Sequence, residues 1–458
     1  MKNRFGVDWT GVKGTHFWKR PFIDRRVFFR HLSSAIGGYF LLPGRPMETV
    51  AKAAVTPIGT AKNLIFVLMA GAPSHADTFD LKEGAWTPAT FAPASYGDVR
   101  WPQGLLPKLA ENIKDIALLR SVRSWALVHG LAQSWVQIGR NPTSALARIA
   151  PHIGSVVSRE LGPTNSNKTL PAFMSLNTGG GPAQGYFAPE HAPFFVNPNG
   201  GGLGNTTHPA GASVLDRRYG LLLDLDAETR AMAEIGPAID EMEQFNLSAR
   251  QMMYNAELDR IFIFDQNERN RYGNSAFGNA CITARNLLRA KMGTRFIQIT
   301  IGGWDNHNNI YTTALNPSNA NSTARQFDAG LGTLISDLRA EGLLDETLIV
   351  ALGEFGRTVG PLNNTAGRDH FLTQSILMAG AKIKGGRAIG STDSIGRDIV
   401  EPGWKEQREI RFEDVEATIY SALGIDWTKV LYDDPLGRGF YYVPSTDALT
   451  YYPITELW

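Results

Sequence analysis

The stretch 347–370, TLIVALGEFGRTVGPLNNTAGRDH, joins a short apolar run to a dense group of charged residues. Residues 347–352 have the length and the β-branched content of a buried strand, and Gly353 marks its end. In an open α/β sheet, ligands bind in the crevice beyond the carboxyl ends of the strands. The charged residues that follow this strand are therefore predicted to line a binding site; they are Glu354, Arg357, Arg368, Asp369 and His370.

Two more apolar runs, 63–71 and 295–301, have the same character, and glycine stands at or just after the end of each. Residues 322–341 carry apolar side chains at helical spacing, so 295–352 has the order strand, helix, strand. Because such crossovers are right-handed, the polar loops after both strands are predicted to lie at one edge of the sheet. The pattern predicts an α/β fold with parallel strands.

The middle of the chain has a different composition. Residues 161–213 are dense in Gly, Pro and Asn, and residues 214–291 have a helical pattern. Residues 61–458 are therefore predicted to form a single domain, with 161–291 as a loop-rich and helical, cap-like insertion.

The N-terminal segment 1–60 resembles an export signal followed by a linker. Arg25 and Arg26 precede a weakly apolar run, 32–44, which is shorter than the about twenty residues needed to span a bilayer. This pattern is typical of a twin-arginine signal, although an ordinary basic N-terminal arm is the alternative. It predicts a periplasmic or extracellular protein. No run of eighteen apolar residues occurs elsewhere, so no transmembrane helix is expected.

The charge and cysteine content exclude some classes of function. Lys and Arg number 45 against 44 Asp and Glu, which leaves a net charge of +1. This balance gives no electrostatic basis for binding nucleic acid, so an anionic ligand must be held by a local site. The single cysteine, Cys281, excludes an intramolecular disulfide and lies in an apolar stretch typical of a core.

Polar clusters also occur near the other predicted strands. One contains Ser74, His75 and Asp77, another His129, and a third Asp305 and His307. Imidazole suits zinc, and carboxylate suits magnesium, calcium or manganese. Taken singly, these residues have structural interpretations: His129 lies among apolar residues as a core histidine would, and Glu354 matches Arg357 as an ion pair. Several clusters at one sheet edge favour a divalent metal site.

Four motifs, in this order, resemble the DUF1501 family of bacterial proteins. They are Gly-x-Pro-Ser-His-x-Asp-Thr-Phe-Asp at 71–80, Gly-Gly-Trp-Asp-x-His at 302–307, Glu-Phe-Gly-Arg-Thr at 354–358 and Gly-Arg-Asp-His at 367–370. The resemblance implies membership of the alkaline phosphatase and sulfatase superfamily. It thereby implies a doubly wound, mainly parallel sheet flanked by helices, with one or two metals at the strand ends.

The resemblance also implies roles for particular residues. The implied metal ligands are Asp305, His307, Glu354, Asp369 and His370, with His75 or Asp77 replacing the aspartate that usually follows the first strand. The implied catalytic residues are Ser74 and His129, together with Arg357 and Arg368 to hold anionic oxygens. No single residue is evident as the nucleophile. Ser124 and Ser134, which flank His129, are alternatives to Ser74.

The resemblance leaves two functions open. The first is a metal-dependent hydrolase of phosphate or sulfate esters, acting on an anionic ester or glycan. The second is a non-catalytic glycan- or protein-binding protein of the cell envelope, with a structural or assembly role, built on the same fold. The missing strand-one aspartate favours the second, and the retained histidines and carboxylates favour the first.

Overall fold

Strand β1 (Asn63–Met69) is buried on both faces, and its two faces contribute to two separate hydrophobic cores. Alternate residues belong to different clusters: Ile65, Val67 and Met69 to one, and Leu64, Phe66 and Leu68 to the other. Because side chains alternate along a strand, each cluster lies on one face of the sheet. The structure, a computed structural model, describes residues 55–165, 167–232, 235–445 and 449–458.

Eight strands form the central sheet. They are β1 (Asn63–Met69), β2 (Ile116–Arg123), β3 (Phe173–Leu176), β4 (Phe194–Val196), β5 (Phe296–Ile301), β6 (Thr347–Leu352), β7 (Thr373–Gly380) and β8 (Arg387–Ile389). Their order across the sheet is β8-β2-β7-β6-β1-β5-β3-β4. Strand β7 is antiparallel to both of its neighbours, and all other pairs in this sheet are parallel. The predicted mainly parallel α/β sheet is confirmed.

The predicted strand–helix–strand unit is present. Helix 323–340 connects β5 to β6, and β1 lies between these two strands. Both strands run parallel to β1, so the loops that follow all three open at the same edge of the sheet. This edge is where the sequence predicted the binding site.

Ten α-helices occur in the described residues. They are α1 (Pro107–Ala110), α2 (His129–Ile138), α3 (Ile153–Leu161), α4 (Ala212–Arg230), α5 (Gly236–Met252), α6 (Ala256–Phe262), α7 (Gln266–Arg271), α8 (Ala276–Ala290), α9 (Thr323–Ala340) and α10 (Phe412–Ala422). Helices α8 and α9 contribute to the core on one face, and α3 and α10 to the core on the other. The sheet is therefore covered by helices on both faces, as a doubly wound fold requires.

Four two-stranded ribbons lie outside the central sheet in the described chain. They pair Pro93–Tyr96 with Val99–Pro102, Gly356–Arg357 with His370–Phe371, Ser391–Thr392 with Ile399–Glu401, and Val430–Leu431 with Phe440–Tyr441. The second ribbon follows β6 directly and carries two of the predicted site residues.

The segment 161–291 differs from the predicted cap-like insertion. Strands β3 and β4 from this segment extend the central sheet beyond β5, and α8 is buried against α9. The two strands have four and three residues and lie in Gly- and Pro-rich sequence, too short for an alternating pattern to identify them. Helices α4 and α5 lie at the surface.

The predicted export signal lies in residues 1–54, outside the described residues. Residues 55–60, at the start of the described chain, form no helix or strand. In the described part of the chain, no helix combines the length and the apolar character needed to cross a bilayer.

Helix α10 is buried along its whole length, including two glutamates. Burial raises the pKa of Glu416 to about 8, although the nearby charge of Arg140 and the hydrogen bond from Tyr420 lower it. The unfolded chain would release this proton near pH 4.5, whereas the folded chain keeps it to about pH 8. The stabilisation is therefore complete below about pH 4.5 and is lost as the pH rises towards 8.

We expect Glu416→Gln to remove this pH dependence. The melting temperature of the variant, relative to that of the wild type, should increase as the pH rises from 5 to 8. The difference in unfolding free energy should change by up to about 1.4 kcal/mol per pH unit. Thermal melts at four pH values would measure it, with the exposed Glu401→Gln as control. A difference that is the same at every pH would contradict the prediction.

Candidate functional site

The loops that follow β1, β5 and β6 meet at one edge of the sheet. The backbone N–H of Gly71, after β1, donates to Oε1 of Glu354, after β6, over 3.0 Å. A Cβ on Gly71 would lie 2.5 Å from the backbone N of Asp305, after β5, and the φ of Gly71 is +106°, so the site requires glycine. This close approach brings three separate strand ends together.

Arg357 connects these loops from inside the protein. Its Nε donates to the carbonyl of Ala72 over 2.9 Å, and its Nη1 to the carbonyl of Arg368 over 3.1 Å. Its Nη2 donates to the carbonyl of Gly71 and, over 2.6 Å, to Oδ1 of Asp305. The side chain is fully buried and connects these loops to Asp305, and its predicted contact with substrate oxygens stays a prediction.

Three imidazoles at this edge each have a hydrogen-bond acceptor beside Nδ1. Nδ1 of His129 lies 2.6 Å from Oε1 of Glu354, and Nδ1 of His307 lies 2.6 Å from Oδ1 of Asp369. Nδ1 of His370 lies 2.8 Å from the backbone carbonyl of Leu127. Because each of these partners accepts hydrogen bonds, each Nδ1 is the donor. In a neutral ring this leaves the lone pair on Nε2.

The three Nε2 atoms converge on one carboxylate oxygen, Oδ1 of Asp305. The distances from this oxygen are 3.3 Å to His129, 3.1 Å to His307 and 3.6 Å to His370. Nε2 of His307 also lies 3.1 Å from Nε2 of His370. Nε2 of His129 is buried and makes no hydrogen bond. Four possible ligand atoms therefore surround one small volume.

These residues fit a divalent metal ion. Potential ligand atoms of His129, Asp305 and His370 all lie within 4.8 Å of one another. Zinc–nitrogen and zinc–oxygen bonds are about 2.0–2.2 Å long, so tetrahedral ligand atoms lie about 3.3 Å apart, close to the observed spacings. Nε2 of His129 is buried and has no hydrogen-bond partner, and buried polar atoms normally have one. A bound metal would supply that partner.

The charges around Asp305 keep this cluster ready to bind a cation. Burial raises the pKa of Asp305, but the hydrogen bond and charge of Arg357, with His129 and His307, lower it to about 2. Burial and the charge of Arg357 lower the pKa of His370, although its hydrogen bond to the Leu127 carbonyl raises it. A deprotonated carboxylate and a neutral imidazole are the forms that bind metals.

The cluster contains most of the residues that the sequence predicted for it. The structure brings together His129, Asp305, His307, Glu354, Asp369 and His370. One carboxylate oxygen of Glu354 contacts His129 and also accepts from Gly71, and the other is buried without a hydrogen-bond partner, so its predicted ligand role stays a prediction. The alternative Glu354–Arg357 ion pair does not form, because Arg357 binds Asp305.

The remaining predicted residues make other contacts. Both carboxylate oxygens of Asp77 bind the guanidinium of Arg368, over 2.6 and 3.1 Å, and both residues are buried. The hydroxyl of Ser74 donates to Asp77 over 2.6 Å. Nε2 of His75 lies 2.8 Å from the carbonyl of Gly396. These contacts connect the loop after β1 to other loops, and the predicted ligand and catalytic roles of Ser74, His75, Asp77 and Arg368 stay predictions.

Gln133 also lies in the cluster, although the sequence did not predict it. Nε2 of Gln133 donates to Oε1 of Glu354 over 2.9 Å. Gln133 lies one turn after His129 on α2, so both side chains face the same side of the helix. That spacing could have identified Gln133, but only with the start of the helix at His129 already known.

In the described residues, no nucleophilic side chain is hydrogen-bonded to the three imidazoles. Neither a serine or threonine hydroxyl nor a cysteine thiol is hydrogen-bonded to the rings of His129, His307 or His370. The hydroxyl of Ser134 donates to the backbone of Gly130, and that of Ser124 accepts from Gln374.

One protein family matches most of the chain. The family described as "Protein of unknown function (DUF1501)" matches residues 61–447. The chain belongs to the DUF1501 family. The resemblance that its four motifs carry is therefore confirmed. No curated protein matches the sequence.

Several solved structures are similar to this DUF1501 protein at low identity. The PsFucS1 sulfatase from Pseudoalteromonas sp. has 12% identity and a TM-score of 0.39, over 89% of this chain and 72% of that one. The phosphonate monoester hydrolase SpPMH from Silicibacter pomeroyi has 12% identity and a TM-score of 0.36, over 80% and 74%. Ps i-CgsB, solved in complex with k-i-k-neocarrahexaose, has 11% and 0.38, over 81% and 73%. Similarity of this degree assigns neither substrate nor activity.

We expect Asp77→Asn in this DUF1501 protein to destabilise the fold without removing a metal ligand. The substitution leaves Arg368 charged and unpaired in the interior, which should lower the unfolding free energy by about 3–5 kcal/mol. Urea denaturation would measure the loss, and elemental analysis would measure the metal content of the folded protein.

Asp369→Asn is the matched control, because Asp369 is half exposed. Its effect on the unfolding free energy should stay within about 1 kcal/mol. The interpretation of Asp77 as structural would be wrong if Asp77→Asn removed bound metal while leaving stability unchanged.

Proposed function

We propose that this protein is a metal-dependent hydrolase of phosphate or sulfate esters in which water is the nucleophile. One observation carries the proposal: the three imidazole Nε2 atoms that surround Oδ1 of Asp305. Such a set of nitrogen and oxygen ligands is typical of zinc and related divalent ions. The choice of ester class rests on the sequence motifs that the chain shares with its family.

The residues that would hold the metal are His129, Asp305 and His370, with His307 beside them. When bound, a divalent ion polarises an ester oxygen and brings the pKa of a water molecule towards neutrality. Asp305 and His307 are partly exposed, so a substrate can reach this side of the cluster from solvent. His129 and His370 lie deeper.

The residues around the ligands would orient them. Glu354 and Asp369 accept from Nδ1 of His129 and His307 and hold each ring with Nε2 turned inward. Such partners fix the tautomer of a ligating histidine, raise its basicity and commonly change metal affinity by 10- to 100-fold. We therefore assign Glu354 to orientation and Asp305 to direct binding. Arg357 would hold the Asp305 carboxylate in place.

Water is the proposed nucleophile because of the contacts of Ser74. This serine is buried and donates its hydroxyl proton to Asp77, away from the imidazoles. A water molecule needs no such side chain and can enter from the open side of the cluster.

Within the described residues, no nucleophilic side chain is hydrogen-bonded to the imidazoles. This observation favours a second candidate function. In this alternative the protein binds a metal and an anionic ligand, such as a glycan ester, without turnover. The two candidates differ in one measurable property, because both predict bound metal and only the first predicts hydrolysis.

We expect the purified protein to contain about one divalent metal ion per chain. A chelator should lower its melting temperature, because metal that binds only the native state stabilises it by about 2.7 kcal/mol at one hundred times the dissociation constant. His370→Ala should abolish both the metal and the response to chelator. His208→Ala, outside the cluster, should change neither.

Glu354→Gln is the graded variant. It should bind the same metal about 10- to 100-fold more weakly, as measured by calorimetric titration, because it weakens orientation without removing a ligand. Hydrolysis of p-nitrophenyl phosphate and p-nitrophenyl sulfate should depend on the metal. Metal binding without hydrolysis of either ester would favour the binding protein, and a metal-free wild type after supply of zinc, manganese, calcium and magnesium would refute both candidates.

We also propose that the protein acts in the periplasm or outside the cell, because Arg25 and Arg26 precede a short apolar run. Replacing both arginines by lysine should leave the protein in the cytoplasm of a bacterium with a functional twin-arginine pathway. Immunoblots of cell fractions would measure the distribution. An unchanged distribution would rule out this export route.

A further inference from the structure

Helix α4 (Ala212–Arg230) buries none of its 19 residues, although it carries several leucines. Leu221 is 59% exposed and Leu225 is 68% exposed. Helices in proteins derive most of their stability from packing an apolar face. Exposed leucines on such a helix therefore mark a surface that a partner can cover.

One side of α4 already has a partner within the chain. Arg250 of α5 forms an ion pair with Asp216 over 2.6 Å, and its guanidinium lies 4.4 Å from the ring centre of Tyr219. Arg230 forms an ion pair with Glu243 of α5, also over 2.6 Å. Because helical residues are spaced by about 100°, these contacts define the α5-facing side of the helix.

The opposite side carries the stripe Arg218, Leu221, Leu225 and Glu228. The spacing of three, four and three residues places all four on one face, as in the seam of a coiled coil. All four are exposed. Among the described residues, the side chain of Arg218 makes one hydrogen bond, to His208 over 3.4 Å, and Glu228 forms no side-chain ion pair. We call these four residues the α4 stripe.

We propose that the α4 stripe binds the same stripe of a second copy of this chain, with the two helices antiparallel. A two-fold axis beside position 223 would place Leu221 opposite Leu225 of the second copy. The same axis would place Arg218 opposite Glu228 of the second copy, at both ends of the contact. The stripe is therefore complementary to itself in charge and in shape.

The order of the charges selects this partner. In a two-fold contact, a residue at one end of the surface faces the residue at the other end of the same surface on the second copy. The two ends must therefore be complementary. The stripe has a cation at one end, an anion at the other and leucines between them. Since the face is small compared with stable interfaces of about 1,200–2,000 Å², we expect a dimer that forms at micromolar concentrations and dissociates on dilution.

Charge reversal tests the pairing in the full-length protein. Arg218→Glu leaves two anions at each end of the contact, and Glu228→Arg leaves two cations. Sedimentation velocity from about 1 to 200 µM should give a dimer for the wild type and monomers for each single variant. An equimolar mixture of the two variants should form a heterodimer, and the double variant should form a homodimer again.

Controls separate this contact from other causes. Arg260→Glu, a comparable charge change on α6, should leave the dimer unchanged. Circular dichroism and thermal melts should be the same for all variants, because the exchanged residues are exposed. The proposal is overturned if the wild type stays monomeric at 200 µM or if a single charge-reversal variant still forms the dimer. It is also overturned if the mixture of the two variants forms no heterodimer.

Discussion

The site depends on one buried cation, the guanidinium of Arg357. It donates to carbonyls in the loop after β1, to the carbonyl of Arg368 and to the carboxylate of Asp305 after β5. A buried guanidinium is costly unless all its donors are satisfied, and its rigid planar fork then holds several acceptors in one geometry. Loops from three strand ends are thereby fixed relative to one another, and the position of Asp305 follows from them.

The same loops determine the direction of each imidazole. A histidine can present either ring nitrogen, and the acceptor at Nδ1 decides which one. Glu354, Asp369 and the carbonyl of Leu127 occupy the Nδ1 sides, so the Nε2 sides meet at Asp305. The orientation of each ring is therefore fixed by contacts within the protein.

The surface helices α4 and α5 have a different basis for stability. The central strand β1 is buried on both faces, whereas α4 contributes an apolar stripe that the described chain leaves exposed. Self-association through this stripe would leave the sheet edge with the imidazoles outside the proposed contact. Dimer formation and metal chemistry can therefore be tested in separate variants.

The sequence alone determined the parallel framework, because strands buried on both faces are continuous apolar runs and a crossover helix has its own period. Its motifs, and the family that they resemble, also indicated a group of candidate site residues near that edge: His129, Asp305, His307, Glu354, Asp369 and His370. Only the tertiary structure showed which of the charged side chains contact one another. Asp77 and Arg368 have the same local sequence character as Asp305 and Arg357, yet they form a closed, buried ion pair with each other. Which carboxylate meets an imidazole and which meets a guanidinium depends on contacts between residues up to hundreds of positions apart, and no local pattern encodes those contacts.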